Sequence, residues 1–583
     1  MSHHSISFRH SLSRSARSEV IENSGVKMRK IISSVMLLCA AIIGARAANG
    51  QEADYYYLDI IYSNDVHGGI MPTGASFMNP EFPPPLGGGG SFANYVEQRR
   101  EKMKELGGKL LLLDAGDCYS GTPIGTKTKG QAVVNFMNMI GYDAMVVGNH
   151  EFDKGYQALE KMMDNAQFPV LGANIIDRTT GKPPHKLKEY IIQEYNGLKI
   201  GIIGVGLTST PTMALPENIG NYEFLPEGPV IAKLVPVVRP QCDILIVLTH
   251  MFLPYDPVEG WKDVEKRNKE GDTDVEGLAM HAANMYAGID LMFTGHVHKG
   301  YYFPWEDPIN HTLMLQTFGN GTSAGEIIVK VDKKTKTIAG YELPSEDGSL
   351  VTLFEDEFPP DNEIGGYIGR EQAVAEAGMD DVIGTTKVNL MRGSAAENLM
   401  GMLITDAFRD YYDSDFAFTN VGGVRAEIQA GEITMRSLFK VMPFGNQLVR
   451  IKMKGSFMRK VVEGKLLSDE SDRGLLIAGA DITFNKNRPK WDRITKFLVR
   501  GRELEADKIY DVVTTDYLSE GNSGMELLLE IPQEERVYTQ IPDLDVVERY
   551  IKKISPISIK PDDRLKRDDK SQQAPYLQQA MPK

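Results

Sequence analysis

Between about residues 53 and 345, nearly continuous apolar runs alternate with polar or amphipathic stretches. The runs are Leu58–Ser63, Lys109–Leu113, Asp143–Val147, Phe168–Ala173, Leu198–Val205, Asp243–Leu248 and Ile289–Phe293. They lack the alternation of a half-exposed strand, so they predict strands covered on both faces. Ser91–Leu106 and Gly155–Ala166, lying between them, have helical periodicity. Strands and helices in turn predict an α/β domain, where functional groups gather outside the carboxyl ends of the strands. The run Gly87–Gly90, after Pro83-Pro84-Pro85, reads as a mobile lead-in to the helix near Ser91. It lacks the strand–loop–helix spacing of a phosphate-binding Walker loop.

A strand at Glu326–Asp332 closes this domain, taken as 53–345. Pro344 to Asn362 is acidic, with Pro and Gly, and reads as linker; Glu363–Gly378 predicts a connecting helix, so 346–380 joins two halves. From 381 to 550 a second α/β pattern follows. Its helices are Glu397–Tyr412, Met435–Val441 and Ser456–Gly464, and its strands Leu448–Met453, Arg493–Val499 and Lys508–Thr515. Phe416–Arg425 reads as a strand and tight turn. The tail 556–583, charged and Gln-rich, reads as disordered.

The first 47 residues change the expected location. Met28-Arg29-Lys30 is a basic head, Ile31 to Gly44 an apolar run, and Ala45-Arg46-Ala47 a small-x-small site. Residues 28–47 thus have the layout of a secretory signal peptide, too short for a stable membrane span. Residues 1–27 are polar and precede it, so Met28 is a candidate start. The expected location is secreted: periplasmic, cell-surface or extracellular. The formal charge is −15 for all 583 residues, and about −20 without the basic leader. So acidic a surface argues against a nucleic-acid polymer as partner. Cys118 and Cys242 remain after the leader, too few for a disulfide scaffold, and both read as buried free thiols.

Five of the apolar runs end in metal-capable side chains. Asp65 and His67 follow the first, Asp117 the second, Asn149, His150 and Asp153 the third, His250 the fourth, and His296 and His298 the last. Singly, a strand-end Asp is a turn residue or cap and a His is structural. Five such ends in one domain reverse that reading. Past the leader the chain has eight histidines, five of them here, and none follows His311. Mixed imidazole and carboxylate ligands suit Zn²⁺ or Mn²⁺, and a carboxylate can bridge two such ions.

In this order, the motifs resemble the calcineurin-like metallophosphoesterases. More closely, they resemble the secreted 5′-nucleotidase / UDP-sugar hydrolase / 2′,3′-cyclic-nucleotide phosphodiesterase family. The resemblance implies an N-terminal α/β/β/α metallophosphoesterase sandwich and a C-terminal α/β nucleotide-binding domain. It implies two divalent metal ions. Asp65, His67 and His298 would hold one, and Asn149, His250 and His296 the other, with Asp117 bridging. His150 would be the catalytic imidazole, supported by Asp153. Some members have an amide where His298 stands, which leaves the metal preference open.

In the second half, turns at Asn420…Arg425, Phe444 and Tyr517 read singly as structural. The resemblance implies instead that Phe444 and Tyr517 stack a base, Asn420 bonds its edge, and Arg425 meets phosphate. Two positions depart from the family: Ser523, where an Asp for the ribose is common, and Ser394, where an Arg is common, with Arg392 displaced nearby. The expected function is a secreted dinuclear-metal phosphohydrolase of 5′-nucleotidase type, acting on nucleotides through metal-activated water. A nucleotide diphosphate-sugar hydrolase or 2′,3′-cyclic-nucleotide phosphodiesterase is the alternative. A manganese-dependent sulfur-oxidation thiohydrolase of related fold is disfavoured by the turns at Phe444 and Tyr517. A non-catalytic secreted binding protein is disfavoured by the complete ligand set.

Overall fold

The structure is a computed structural model that describes residues 54–75, 78–79, 82–275, 277–393, 398–466, 474–532, 535–562 and 564–568. The signal segment 28–47 and Ser394 lie outside the described residues. From Tyr57 onward the described residues form one compact unit.

Four of the predicted strands build one sheet. β1 (Tyr55–Ser63), β2 (Lys109–Asp114), β3 (Ala144–Val146) and β4 (Val170–Leu171) lie side by side in parallel. The chain then makes a second sheet. Its strands are β5 (Tyr190–Tyr195), β6 (Leu198–Val205), β7 (Ile244–Thr249), β8 (Leu291–Phe293), β9 (Trp305–Glu306) and β10 (Leu313–Leu315), in the order β9-β10-β8-β7-β6-β5. β6, β7, β8 and β10 are parallel, and β5 and β9 are antiparallel edges. β11 (Ser323–Asp332), β12 (Ile338–Glu342) and β13 (Leu350–Thr352) return beside β1.

The two sheets meet face to face. A Cβ on Gly204 of β6 would stand 2.1 Å from the Cβ of Leu171 of β4, so only glycine permits this approach. Helical side chains such as Val96, Met103, Val133 and Met162 cover the outer face of the first sheet. Ile231, Leu234, Ala279 and Met280 cover that of the second. Burial on both faces is why the strands read as unbroken apolar runs.

Two expectations for this half are corrected. Gly88–Gly90 are the buried first turn of helix α1 (Gly88–Leu106), not a mobile lead-in. A Cβ on Gly88 would meet the Met71 backbone at 2.6 Å, and one on Gly89 would meet Ile368 and Phe136 at 2.8 Å. The glycines serve close packing. The expected linker contributes β13, which pairs with β11, and Leu353, which is buried in the first core. Helix α2 (Asn362–Ala375) packs Ile364 and Ile368 into the same core.

The second half has a five-stranded sheet. Its strands are β14 (Phe416–Asn420), β15 (Gln447–Lys454), β16 (Leu475–Ala478), β19 (Ile509–Thr515) and β20 (Arg536–Pro542), in the order β16-β14-β19-β15-β20. Helices α3 (Leu399–Tyr412) and α4 (Asp543–Ile554) pack on it. A smaller sheet contains β17 (Ala480–Phe484), β18 (Ile494–Val499) and β21 (Leu565–Arg567). The tail expected to be disordered from 556 is therefore ordered through its described part. Leu565 is buried and pairs with Ile482, and Arg564 binds Asp406 at 2.9 Å. Residues 569–583 lie outside the described residues. Cys118 is buried as expected, whereas Cys242 is only partly so; both are free thiols.

Candidate metal centre and substrate face

Most of the expected ligands sit in a backbone conformation that L-residues avoid. Asp65, His67, Asp117, His296 and His298 have φ of 51°, 52°, 59°, 74° and 54°. Each such residue costs about 1–3 kcal/mol and persists only where its surroundings over-determine it. Here neighbouring loops do so. The Asp65 amide donates to the Gly116 carbonyl at 2.9 Å and the His67 amide to the Asp117 carbonyl at 3.0 Å. The left-handed turns bend the chain off each strand and bring the side chains into one cleft.

There the donor atoms converge. Nε2 of His67 lies 3.0 Å from Nε2 of His298, which is 3.4 Å from Asp65 Oδ1. Nε2 of His250 lies 3.0 Å from Asp117 Oδ2 and 3.2 Å from Asn149 Oδ1, and His296 Nδ1 is 3.0 Å from the same amide oxygen. Three sets have donor atoms within 4.8 Å of one another: Asp65, His67 and His298; Asp117, His250 and His296; and His67, Asp117 and His150. All seven residues expected to hold metal are thus brought together.

The chemistry of this donor set fits divalent cations. His67 donates Nδ1–H to the Ser120 carbonyl at 2.5 Å and His250 donates Nδ1–H to the Ala115 carbonyl at 2.7 Å. Both rings therefore aim the other nitrogen inward, as metal-binding histidines do. Burial drives His67 well below the ordinary imidazole range, with His150 adding to it. Burial and His250 take His296 down to about 3, and His298 falls to about 4 through burial and Arg425, against the pull of Asp117. Neutral imidazoles with inward lone pairs are the form that coordinates, and burial leaves His67, His296 and His298 in it. His250 differs: against burial, Asp117 lifts it to about 10, so it would release its Nε2 proton on binding a metal. Burial raises Asp65 to about 7, but Asp117, despite its burial, is held well below the carboxylate range by His250 and His150.

His150 differs from these. Its Nδ1 lies 2.8 Å from Asp153 Oδ2, which also accepts from Ser120 Oγ at 2.5 Å. Burial opposes its charge, but Asp153 and Asp117 outweigh burial and lift it to about 9. Glu151, the next residue, is a fastener. Its buried carboxylate accepts from the amides of Gly148, Asp117 and Cys118 at 2.7, 3.0 and 2.8 Å. Asn64 was also missed; it donates to Asp65 Oδ2 at 2.7 Å and to the Thr317 carbonyl at 3.0 Å. Asn64 stands beside the ligand Asp65 and Glu151 beside His150, which was the available signal.

The second half supplies the opposite wall. The Phe444 ring lies parallel to the His150 imidazole, 10° between planes and 6.0 Å between centroids. The Arg425 guanidinium stands 5.5 Å from the Phe444 centroid. Lys154 Nζ donates to the Phe444 carbonyl at 2.9 Å. Asn420 Nδ2 donates to Ser523 Oγ at 3.2 Å, and Ser523 Oγ to Tyr517 Oη at 3.3 Å. Arg392 Nη1 donates to the Arg425 carbonyl at 3.1 Å.

Residues 58–300 match the calcineurin-like phosphoesterase family and residues 382–530 the 5′-nucleotidase C-terminal domain family. A 5′-nucleotidase of Vibrio cholerae is 26% identical over 92% of this chain and 97% of its own. Endonuclease YhcR of Bacillus subtilis is 25% identical over 87% of this chain, which spans only 41% of that protein. The solved 5′-nucleotidase precursor of Thermus thermophilus shares the fold, with a TM-score of 0.70 over 88% of this chain and 99% of its own at 24% identity. The chain belongs to the family that joins a calcineurin-like phosphoesterase domain to a 5′-nucleotidase C-terminal domain. It is a metal-dependent phosphoester hydrolase.

Proposed function

We propose that the chain is a secreted 5′-nucleotidase that releases phosphate from nucleoside monophosphates. The observation that carries this reading is the placement of Phe444 and Arg425, an aromatic face and a cation, against His150 and close to His298. A base has a stacking partner and a phosphate a guanidinium within the same cleft.

Asp65, His67 and His298 would hold one divalent ion, and Asn149, His250 and His296 a second, with Asp117 shared; Zn²⁺ or Mn²⁺ suits this mixed set. Bound there, the ions would supply Lewis acidity and a water acidic enough to attack at neutral pH. Asp153 fixes Nδ1 of His150, so the proton on Nε2 faces the cleft. That N–H donates to a phosphoryl oxygen as its negative charge grows. Arg425 binds the phosphate, Phe444 and Tyr517 hold the base, and Asn420 bonds its edge. The signal-like segment 28–47 supports export. Among the described residues no helix is long and apolar enough to cross a membrane.

Arg392 favours a second reading. Neither its guanidinium nor that of Arg425 has a carboxylate partner among the described residues, although the Arg392 backbone amide donates to Glu427 at 3.1 Å, and burial together with Arg392 lowers the Arg425 pKa. Paired guanidiniums suit a diphosphate, as in a nucleotide diphosphate-sugar. The test is hydrolysis of AMP, UDP-glucose, 2′,3′-cyclic AMP and p-nitrophenyl phosphate by residues 48–583, with and without chelator, and with His150→Ala. AMP is expected to be cleaved best, with loss on chelation and in the variant. Preference for UDP-glucose would favour the second reading, and metal-independent turnover would overturn both.

A further inference from the structure

Lys154 follows Asp153 directly, yet its side chain leaves the metal half and ends in the other one. Its ammonium donates to the carbonyl of Phe444, the residue whose ring lies on His150. The next residue is Gly445, at φ 70°, where a Cβ would stand 3.2 Å from Lys154 Nζ. After it, Asn446 is tied to the start of α4. The Asp543 amide donates to the Asn446 carbonyl at 2.9 Å, and Asn446 Nδ2 donates to Asp543 Oδ2 at 3.3 Å. Lys154 is a cation acting on that buried carboxyl. The backbone on either side of it is anchored by Asn218 Nδ2, which donates to the Asp153 carbonyl at 2.9 Å, and by the turn in which the Gly155 amide donates to the Phe152 carbonyl.

We propose that Lys154 is a positioning residue that fixes the Phe444 turn relative to the His150–Asp153 pair and thereby sets the preference for substrates carrying a base. The assignment of substrate class rests on the nucleotidase reading above. A carbonyl gives a lysine no partner that depends on sequence, so the ammonium reads where the turn lies rather than which side chain occupies it. Phe444 otherwise hangs from the start of β15 and has no backbone bond to the metal half among the described residues. Asp153, one peptide step away, is held independently by Ser120 Oγ on its carboxylate and Asn218 Nδ2 on its carbonyl, so losing the ammonium frees the Phe444 turn and leaves the His150 support in place.

The test compares Lys154→Met and Lys154→Arg with the wild-type metal-loaded protein. Two phosphoesters are used: AMP, and p-nitrophenyl phosphate, which lacks base and ribose. A charge-assisted hydrogen bond of ordinary strength predicts a KM for AMP raised about tenfold in Lys154→Met, with kcat/KM for p-nitrophenyl phosphate within about twofold. Lys154→Arg should recover most of the loss. In parallel, amide hydrogen exchange over residues 443–446 should quicken in Lys154→Met. An unchanged KM for AMP, or an equal loss on both substrates, would overturn the role. A wild-type protein inert toward AMP would overturn the nucleotidase reading instead. The exchange experiment would then still decide the positioning, since unaltered exchange in Lys154→Met overturns it whatever the substrate.

Discussion

His67 and His298 point their Nε2 atoms at each other across 3.0 Å, although they leave strands in different sheets. With Nδ1 of His67 committed to the Ser120 carbonyl, its Nε2 is a bare lone pair. Burial keeps both rings neutral. Such an arrangement is held at a cost by left-handed backbone at both residues. A divalent ion offsets that cost. Metal at a hundred times its Kd should stabilise the fold by about 2.7 kcal/mol. Calorimetry with and without chelator should show a clear gap in Tm, shrinking in His67→Ala. A chelator-insensitive Tm would count against a metal centre here.

Glu151 offers a sharper stability test. Three buried amides, those of Gly148, Asp117 and Cys118, share its carboxylate. Glu151→Ala strands them, at about 1–3 kcal/mol for each unsatisfied group. The loops carrying Asp117 and Asn149 should loosen together. Denaturant unfolding should show a loss of several kcal/mol, and elemental analysis a lower metal content. Glu151→Gln keeps one acceptor oxygen and should fall between. A neutral Glu151→Ala would remove the fastener role.

Asp543 makes stability depend on pH. Burial pushes its carboxyl up to about 8, with Asp516 adding. In the unfolded chain it ionises near 3.9, as a rough reference value. Across the window from about 4 to 8 the folded state therefore holds a proton that the unfolded state has lost, so this group makes stability fall as pH rises. Above about 8 both states are ionised and the effect levels off. Denaturant midpoints measured from pH 5 to 8 should decline in the wild type and decline less in Asp543→Asn. Equal slopes in the two proteins would show that Asp543 is not the source.

The strands bearing ligands were legible because each is apolar on both faces and ends abruptly in a polar motif. β6, Leu198–Val205, has the expected limits. β5, Tyr190–Tyr195, went unread because an edge strand with half-buried Gln193 and exposed Glu194 shows no apolar run. β21, Leu565–Arg567, was hidden likewise: one buried Leu565 between charges does not stand out from a solvated tail. The glycines at 88–90 misled for a different reason. Their use is close approach by Met71, Phe136 and Ile368, and packing partners distant in sequence leave no local pattern. The same limit hid Lys154, which reads as an ordinary surface lysine until the Phe444 carbonyl is beside it.

Phe444 and Ser523 should separate base binding from bond cleavage. Stacking a base on an aromatic ring is worth roughly 1–3 kcal/mol. Phe444→Ala should therefore raise KM for AMP about 5- to 150-fold, by the usual conversion of energy to equilibrium. Ser523 accepts from Asn420 and donates to the Tyr517 hydroxyl, so Ser523→Ala leaves both polar tips without a shared partner. Asn420 and Tyr517 each lose one neutral hydrogen bond within the protein and hold the base less firmly, which predicts a smaller rise, roughly 2- to 10-fold. In both variants, hydrolysis of p-nitrophenyl phosphate should stay within about twofold of wild type, because neither side chain belongs to the donor set. Steady-state kinetics on the two substrates reads this directly. A Phe444→Ala protein that loses both activities alike would place the ring with His150 in catalysis rather than with the base.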